Sequence, residues 1–231
     1  MAVVERGRFS RRARWERPVH TRADRALAWA DMLLADHGIL RLAYRNRHQV
    51  TPQLWRSAQP APGDIFRAKA LGIRTVVSLR APYTGGDHLE RAACDAAGLT
   101  FERLVLSSGR APFRERLEEA IARFPTFEPP VLLHCKSGAD RAGLATALYR
   151  MIVDGAPAAE AKTALSWRYG HIAKSRTGVL DAFIDAYATT GEAEGLPFDT
   201  WVRTVYDPDA LDAAFRASRA ANALTRIMGR E

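Results

Sequence analysis

Cys135 and Arg141 are the residues whose types and spacing point most directly to chemistry. Cys135 follows the apolar run Val131-Leu132-Leu133-His134, and five residues that include Gly138 separate it from Arg141. Because a helix-compatible stretch comes next, the intervening residues form a tight loop leading from a strand into a helix N-terminus. The backbone N–H groups of such a loop converge with the helix dipole on an anion, and this geometry suits phosphate.

The loop supplies both a nucleophile and a phosphate clamp. The planar guanidinium of Arg141 can hold two phosphate oxygens at once, and the positive field of the loop favours the nucleophilic thiolate form of Cys135. The residues predicted to bind the substrate phosphate are Lys136, Ser137, Gly138, Ala139, Asp140 and Arg141. Two cysteines and scattered histidines offer no cluster of metal ligands, so neither a metal site nor a cofactor is predicted.

The segment His134-Cys135, five residues and Arg141 resembles the signature loop of the cysteine-based protein tyrosine and dual-specificity phosphatases. Trp55-Arg56-Ser57-Ala58-Gln59-Pro60 resembles the first strand and turn of bacterial and dual-specificity-like members, and residues 71–80 are similar to their second strand. The resemblance implies hydrolysis of phosphomonoesters through a phosphocysteine intermediate. The substrate it implies first is a phosphorylated protein. A phospholipid or phosphoinositide head group is the alternative, and a phosphate-binding module with little turnover is an alternative of another class.

The proton donor for the leaving group departs from the family pattern. Relatives carry an Asp on a separate loop before the Cys, but the matching residues here, 104–113, contain no carboxylate. Asp140 is the candidate that replaces it, because repulsion from bound phosphate favours the protonated form of a neighbouring carboxyl group. The other interpretation is that Asp140 points outward and braces the loop. Asp87 and His88, at the end of the Gly-rich loop 81–88, are further candidates. The glycines of this loop either give it the mobility to close over the substrate or belong to an ordinary surface turn.

Three neighbours of these residues refine the prediction. Ala142 stands where relatives place a Ser or Thr whose hydroxyl stabilises the departing thiolate, which predicts slow breakdown of the intermediate and supports the binding-module alternative. His134 is expected to brace the loop by hydrogen bonding. Lys136 resembles the lysine of phosphoinositide-acting phosphatases and favours the lipid alternative.

The elements that position the loop alternate along the chain. Strands are predicted at 54–58, 73–79, 101–106 and 131–134, with helices between them. After residue 141 only helices are predicted, at roughly 141–153, 157–168, 176–188 and 207–228. The predicted fold is α/β, with a central, mostly parallel sheet flanked by helices and a helical C-terminal half, as in the dual-specificity type of protein tyrosine phosphatase. Three segments are expected: a basic arm with an amphipathic helix at 1–48, the catalytic domain at 49–190 and a helical extension at 191–231.

The net charge of +8 is concentrated in the first segment, where residues 1–48 carry 11 Arg and 5 acidic residues. Thr21 is a predicted N-cap for a helix at 22–36, which either packs on the catalytic domain or lies on an anionic membrane through residues 1–36. Arginine outnumbers lysine 30 to 4, a compositional bias that weakens the case for nucleic acid, and no nucleic acid partner is predicted. A thiolate enzyme needs a reducing compartment, so a cytoplasmic protein is expected, with the periphery of the inner membrane as the finer prediction.

Overall fold

A computed structural model describes residues 12–228 and, within them, the side chains of residues 12–220. Most of the predicted basic arm, residues 1–11, and the last three residues of the predicted extension lie outside the described part. The chain divides into two compact units. The first comprises Met1–Val105 with Glu128–Gly138, and the second Leu106–Phe127 with Ala139–Glu231.

A five-stranded sheet forms the centre of the first unit. Its strands in spatial order are β1-β2-β5-β3-β4, where β1 runs antiparallel to β2 and all other neighbours are parallel. The mostly parallel sheet is therefore confirmed, with β1 as an additional edge strand that the sequence pattern did not predict. The strands are β1 (His48–Thr51), β2 (Leu54–Ala58), β3 (Thr75–Ser78), β4 (Thr100–Arg103) and β5 (Val131–Cys135).

The helices that accompany the sheet in the first unit include α1 (Arg22–Ala30), α2 (Gly38–Ala43), α3 (Pro62–Ala70) and α4 (Gly85–Ala97). Helix α1 begins at the predicted cap, where Thr21 and Asp24 form a reciprocal capping box, and it continues as a π-helical turn at Asp31–Ala35. Helices α3 and α4 bury their apolar faces with the sheet in one cluster, which includes Ile65, Cys94 and Leu132.

Helix α1 packs against α4, as one of the two interpretations of the amphipathic helix predicts. Ala28 and Met32 are buried with Leu89 and Trp15. The helices approach closely at Gly85, where a Cβ atom would lie 2.6 Å from the Ala28 carbonyl oxygen. The predicted loop at 81–88 is wrong in its second half, because α4 already begins at Gly85.

Within the described residues the second unit is entirely helical, which confirms the helical C-terminal half. Helices α8 to α10 pack around the aromatic side chains of Phe183, Tyr187, Phe198 and Trp201 with Tyr206. The predicted helix at 157–168 is shorter than expected, and α9 was not predicted. The helices are α5 (Arg114–Arg123), α6 (Asp140–Ile152), α7 (Ala158–Lys162), α8 (Val179–Thr190), α9 (Phe198–Thr204) and α10 (Pro208–Met228). Over the described residues, no helix combines the length and apolar character needed to cross a membrane.

Candidate active site

Cys135 is the last residue of β5, the middle strand of the sheet, and it lies in register with Ala58 of β2. The strand is buried along its whole length, and Cys135 itself is 1% exposed. The carboxyl ends of parallel strands lie at one edge of a sheet, so the loop that follows Cys135 lies at that edge. The sequence analysis correctly places Cys135 at the point where the strand ends and the loop begins.

The first half of the loop is held by donors from β2 and the residues before β1. The buried Arg56 donates from Nη2 to the Gly138 carbonyl oxygen at 2.8 Å, and Asn46 donates from Nδ2 to the Ser137 carbonyl oxygen at 2.9 Å. Gly138 has a φ of +75°, and a Cβ atom there would lie 2.6 Å from the Ala58 nitrogen. The chain can make this turn only with glycine. Side chains from outside the loop thus hold these two carbonyl oxygens by hydrogen bonds. This arrangement suits a loop whose backbone amides bind an anion.

The second half of the loop belongs to the second unit and starts helix α6, which has 13 residues. Arg141 lies in its first turn and is partly exposed. Its guanidinium makes no ion pair with any side chain in the described part of the chain. Ala142 is fully buried. An arginine without a protein counter-charge at a helix N-terminus is suited to a bound anion.

Asp140 is held by a buried histidine. The Nδ1 atom of His171 lies 2.7 Å from Asp140 Oδ1, and its Nε2 atom lies 2.7 Å from Asp181 Oδ2. Burial lowers the pKa of His171, but the hydrogen bonds and charges of the two carboxylates outweigh it and raise the pKa to about 9. A histidine that donates from both nitrogens to carboxylates is a cation.

The same contacts change the pKa of the Asp140 carboxyl group. Burial raises its pKa, but hydrogen bonds from His171 and Thr177 and the charge of His171 lower the pKa below its ordinary value. Asp140 is therefore ionised in the ligand-free site, whereas the expected protonated carboxyl refers to the phosphate-bound site. Its role as proton donor stays a prediction, with His171 as a partner that sequence analysis did not assign.

A run of buried polar contacts starts at His134, the residue before the nucleophile. Its Nε2 atom lies 2.5 Å from Glu90 Oε1, and both side chains are fully buried. Gln59 donates from Nε2 to Glu90 Oε2 at 3.1 Å, and Arg80 donates to Gln59 Oε1. His134 thus contacts a buried carboxylate in helix α4, but neither of its ring nitrogens forms a hydrogen bond with the described residues, so its bracing role stays a prediction.

The same run ends at Lys136, the residue after the nucleophile. Arg80 forms a bidentate pair with Asp36 at 2.6 and 2.8 Å, and Arg41 and Lys136 contact the Asp36 carboxylate at 2.9 and 3.4 Å. Burial raises the pKa of Asp36, but these three cations lower it to about 2. We call the side chains of His134, Glu90, Gln59, Arg80, Asp36 and Lys136 the polar chain. It connects the two sequence neighbours of Cys135.

The remaining candidates for a proton donor are engaged elsewhere. Asp87 pairs with Arg103, and His88 Nε2 lies 2.8 Å from the Trp15 carbonyl oxygen. Both residues lie in the first turn of α4 rather than in a loop. Sequence analysis missed Arg56, Asp36, Glu90 and His171. Arg56 gave the one clear signal, because an arginine within a buried strand needs a specific acceptor.

Comparison with known proteins gives three findings. Residues 54–156 match the family model described as "Polymorphic toxin system, DSP-PTPase phosphatase". The chain is 33% identical over 146 residues to the dual specificity protein phosphatase TpbA of Pseudomonas aeruginosa, a match that covers 60% of this chain and 59% of the relative. The chain thus spans less than two thirds of the length of that relative.

Two solved structures are similar as well. The crystal structure of Pseudomonas aeruginosa TpbA is 24% identical, with a TM-score of 0.49 over 74% of this chain and 91% of that one. A DUF442 protein from Shewanella putrefaciens is 21% identical, with a TM-score of 0.52 over 66% of this chain and 94% of that one, and supports the fold assignment. Residues 54–156, which contain the signature loop, are therefore similar to the dual-specificity and tyrosine phosphatase-like proteins of that family model, as the loop predicts.

Proposed function

We propose that this protein hydrolyses phosphomonoesters through a phosphocysteine intermediate on Cys135. The observation that carries the proposal is the setting of Cys135. The residue ends the middle strand of a parallel sheet, and the loop that follows is held by Arg56 and Asn46 and leads into the N-terminus of α6. Backbone amides, a helix N-terminus and a guanidinium then belong to one continuous segment, which suits a phosphoryl group.

The reaction has two steps. The thiolate of Cys135 attacks phosphorus, a P–S bond forms, and the ester P–O bond breaks as the leaving oxygen takes a proton. Water then attacks the phosphocysteine, the P–S bond breaks, and inorganic phosphate and the thiolate are released. Arg141 and the amides of residues 136–141 stabilise the charge on the oxygens of the transferring group in both steps.

Asp140 is the proposed source of the proton. Its carboxylate contacts His171, which carries a proton on each ring nitrogen, so a proton can pass from Nδ1 to Asp140 and then to the leaving oxygen. In the second step the proton released by the attacking water returns along the same path. His171 is 2% exposed and acts through Asp140 rather than on the substrate.

For the substrate we propose a phosphorylated protein side chain, since the curated relative is a dual specificity protein phosphatase. The lipid alternative relied on Lys136 as a cation over a head group. Its ammonium group lies 3.4 Å from the Asp36 carboxylate, which also contacts Arg80 and Arg41. This cluster keeps a net positive charge, so the contact gives no ground for choosing between the protein and the lipid substrate. The binding-module alternative gains no separate support from the contacts around Cys135, and the following experiment decides it.

The test compares the two buried cysteines. Cys135→Ser should lose phosphate release from p-nitrophenyl phosphate and phosphopeptides, whereas Cys94→Ser should keep it. Burial raises the pKa of the Cys94 thiol to about 12, so this thiol is protonated and serves as the matched control. Arg141→Lys should be severely impaired, and a chelator should have no effect. Phosphate release by Cys135→Ser, or its absence from the unaltered protein, contradicts the proposal.

We also propose a cytoplasmic protein whose N-terminal segment touches an anionic membrane surface. The apolar side chains of Leu27, Leu34, Ile39, Leu40 and Leu42 are exposed on residues 22–43, next to the arginine-rich residues. Co-sedimentation with anionic and neutral vesicles tests this. Leu34→Ser with Leu40→Ser should weaken binding to the anionic vesicles, and equal binding of the variant contradicts the proposal.

A further inference from the structure

A second concentration of positive charge lies in the second unit, in a groove of about 450 Å³. It is bordered by the loop before α5, the turn before α8 and the exposed side of α10. Four arginines line it against a single carboxylate, that of Asp212. The arginines are Arg110, Arg176, Arg216 and Arg219.

Hydrogen bonds between the segments that border the groove hold it in shape. The buried Asp212 of α10 accepts a hydrogen bond from the Ala111 backbone N–H at 2.7 Å. Arg176 donates from Nε to the Gly109 carbonyl oxygen at 2.8 Å, and Arg216 donates from Nε to the Asp212 carbonyl oxygen at 3.2 Å. These bonds use one edge of the Arg176 and Arg216 guanidinium groups and leave the Nη atoms for a ligand.

Three arginines of the groove differ from two well-paired arginines elsewhere on this unit. Arg116 and Arg203 are about half exposed, and each pairs with a carboxylate, Glu119 and Asp199 respectively. Arg176, Arg216 and Arg219 pair with no carboxylate in the described part of the chain. Three uncompensated cations on one concave surface repel one another, and a bound polyanion relieves that repulsion.

The loop on one side of the groove is residues 106–113, where relatives place the catalytic Asp. This chain has no carboxylate there and carries Arg110 instead, whose guanidinium stacks on Phe113 at 4.1 Å. Arg110 contacts the carboxylates of Asp209 and Asp212 at 3.2 and 3.6 Å, so its charge is compensated and the anion-binding capacity of the groove depends on the other three arginines.

We propose that this groove is a second anion-binding site, separate from the signature loop, which takes a compact anion with two or more phosphate groups. Guanidinium groups bind phosphate through paired N–H donors, so several of them in one cavity select for multiple phosphates. The volume matches a small molecule or head group rather than an extended peptide, which needs a longer surface. The same chemistry can come from a soluble polyphosphate or from a phosphorylated lipid head group.

The test is the calorimetric titration of the full chain with tripolyphosphate. Arg216→Gln with Arg219→Gln should weaken binding about tenfold or more, because two charge-assisted contacts are lost. The control, Arg116→Gln with Arg203→Gln, removes the same charge from the same unit and should change affinity less than about threefold. Arg141→Lys reports on the signature loop and should leave this binding in place.

Three results overturn the proposal. They are unchanged affinity in the groove variant, equal losses in the groove and control variants, and loss of all binding in Arg141→Lys. The assay does not depend on hydrolysis, so it stands whether or not Cys135 proves to be the nucleophile. If the groove variant loses affinity, competition between soluble inositol hexakisphosphate and vesicles that carry phosphatidylinositol bisphosphate identifies the source of the ligand.

Discussion

Asp36 provides a sharp test of how the N-terminal segment supports the site. Asp36→Asn keeps the shape of the side chain and removes its charge. Three cations contact the carboxylate, and two of them, Arg80 and Arg41, have side chains that are only 12% and 10% exposed. The substitution leaves these cations next to a neutral amide, whose nitrogen now also faces guanidinium donors.

The expected loss of folding stability in Asp36→Asn follows from these contacts in two ways. A pKa of about 2 in place of 3.8 corresponds to about 2.5 kcal/mol of stabilisation of the charged form. Removing one partner of a buried ion pair costs about 3–5 kcal/mol, because the other charge stays buried. We therefore expect a loss of about 3 kcal/mol, which lowers the Tm of a chain of this length by about 6–12 °C.

Thermal unfolding followed by tryptophan fluorescence measures this loss. The matched control is Asp185→Asn, whose carboxylate pairs with Lys162 but is 56% exposed. That change should cost less than about 1 kcal/mol. The pKa of Asp36 is depressed, so its contribution is complete above about pH 4 and is lost as the pH falls through about 2. Equal Tm values for the two variants, or a difference that does not shrink in acid, would refute this reasoning.

Three further predictions concern the second unit. His171→Asn should destabilise the protein by about 3 kcal/mol at pH 7, as measured by urea unfolding. Because the pKa of His171 is raised to about 9, the stability advantage of the unaltered protein is complete below about pH 6.5 and is lost as the pH rises through 9. Urea unfolding at several pH values measures this dependence. Asp140→Asn should lower kcat/KM more for alkyl phosphates than for p-nitrophenyl phosphate, whose leaving group needs little protonation; equal losses would assign Asp140 a structural role. Ala142→Ser should speed breakdown of the phosphocysteine about tenfold and reduce the burst of nitrophenolate seen on rapid mixing, whereas linear kinetics in the unaltered protein would show that another group already supports the departing thiolate.

The sequence was most informative where a local pattern has one physical solution. Val131–Cys135 is a fully buried parallel strand, and Thr21 with Asp24 forms a reciprocal cap, so both elements appear where they were predicted. Gly138 has the positive φ that a turn before a helix requires. Each of these features depends on residues within a few positions of one another.

The polar contacts of the site could not be predicted in the same way, because they join distant parts of the chain. Asp36 and Arg80 are separated by 44 positions, and Asp140 and His171 by 31. In the sequence alone, nothing distinguishes the carboxylate at position 36 from a solvated residue at the end of the predicted helix 22–36. Its burial depends on how α1 packs on α4, which is a tertiary feature. The segment 81–88 was misjudged for a related reason: its glycines permit close packing of α1 on α4 instead of mobility.

The missing Asp of the family loop and the groove beside it share one explanation in the contacts of the second unit. Residues 106–113 are bonded to α10 through the Ala111 N–H and Asp212, so this loop is fixed to an element outside the family match, which ends at residue 156. A loop held in this way and lined with Arg110 is poorly suited to carry a carboxyl group to a leaving oxygen. Proton transfer then needs another proton source. Asp140, which contacts His171, directly precedes Arg141 in the first turn of helix α6. Under the proposed mechanism, fixing the loop to the C-terminal helix leaves Asp140, supported by His171, as the proton source, and this is the role that the comparison of alkyl and nitrophenyl phosphates in Asp140→Asn tests.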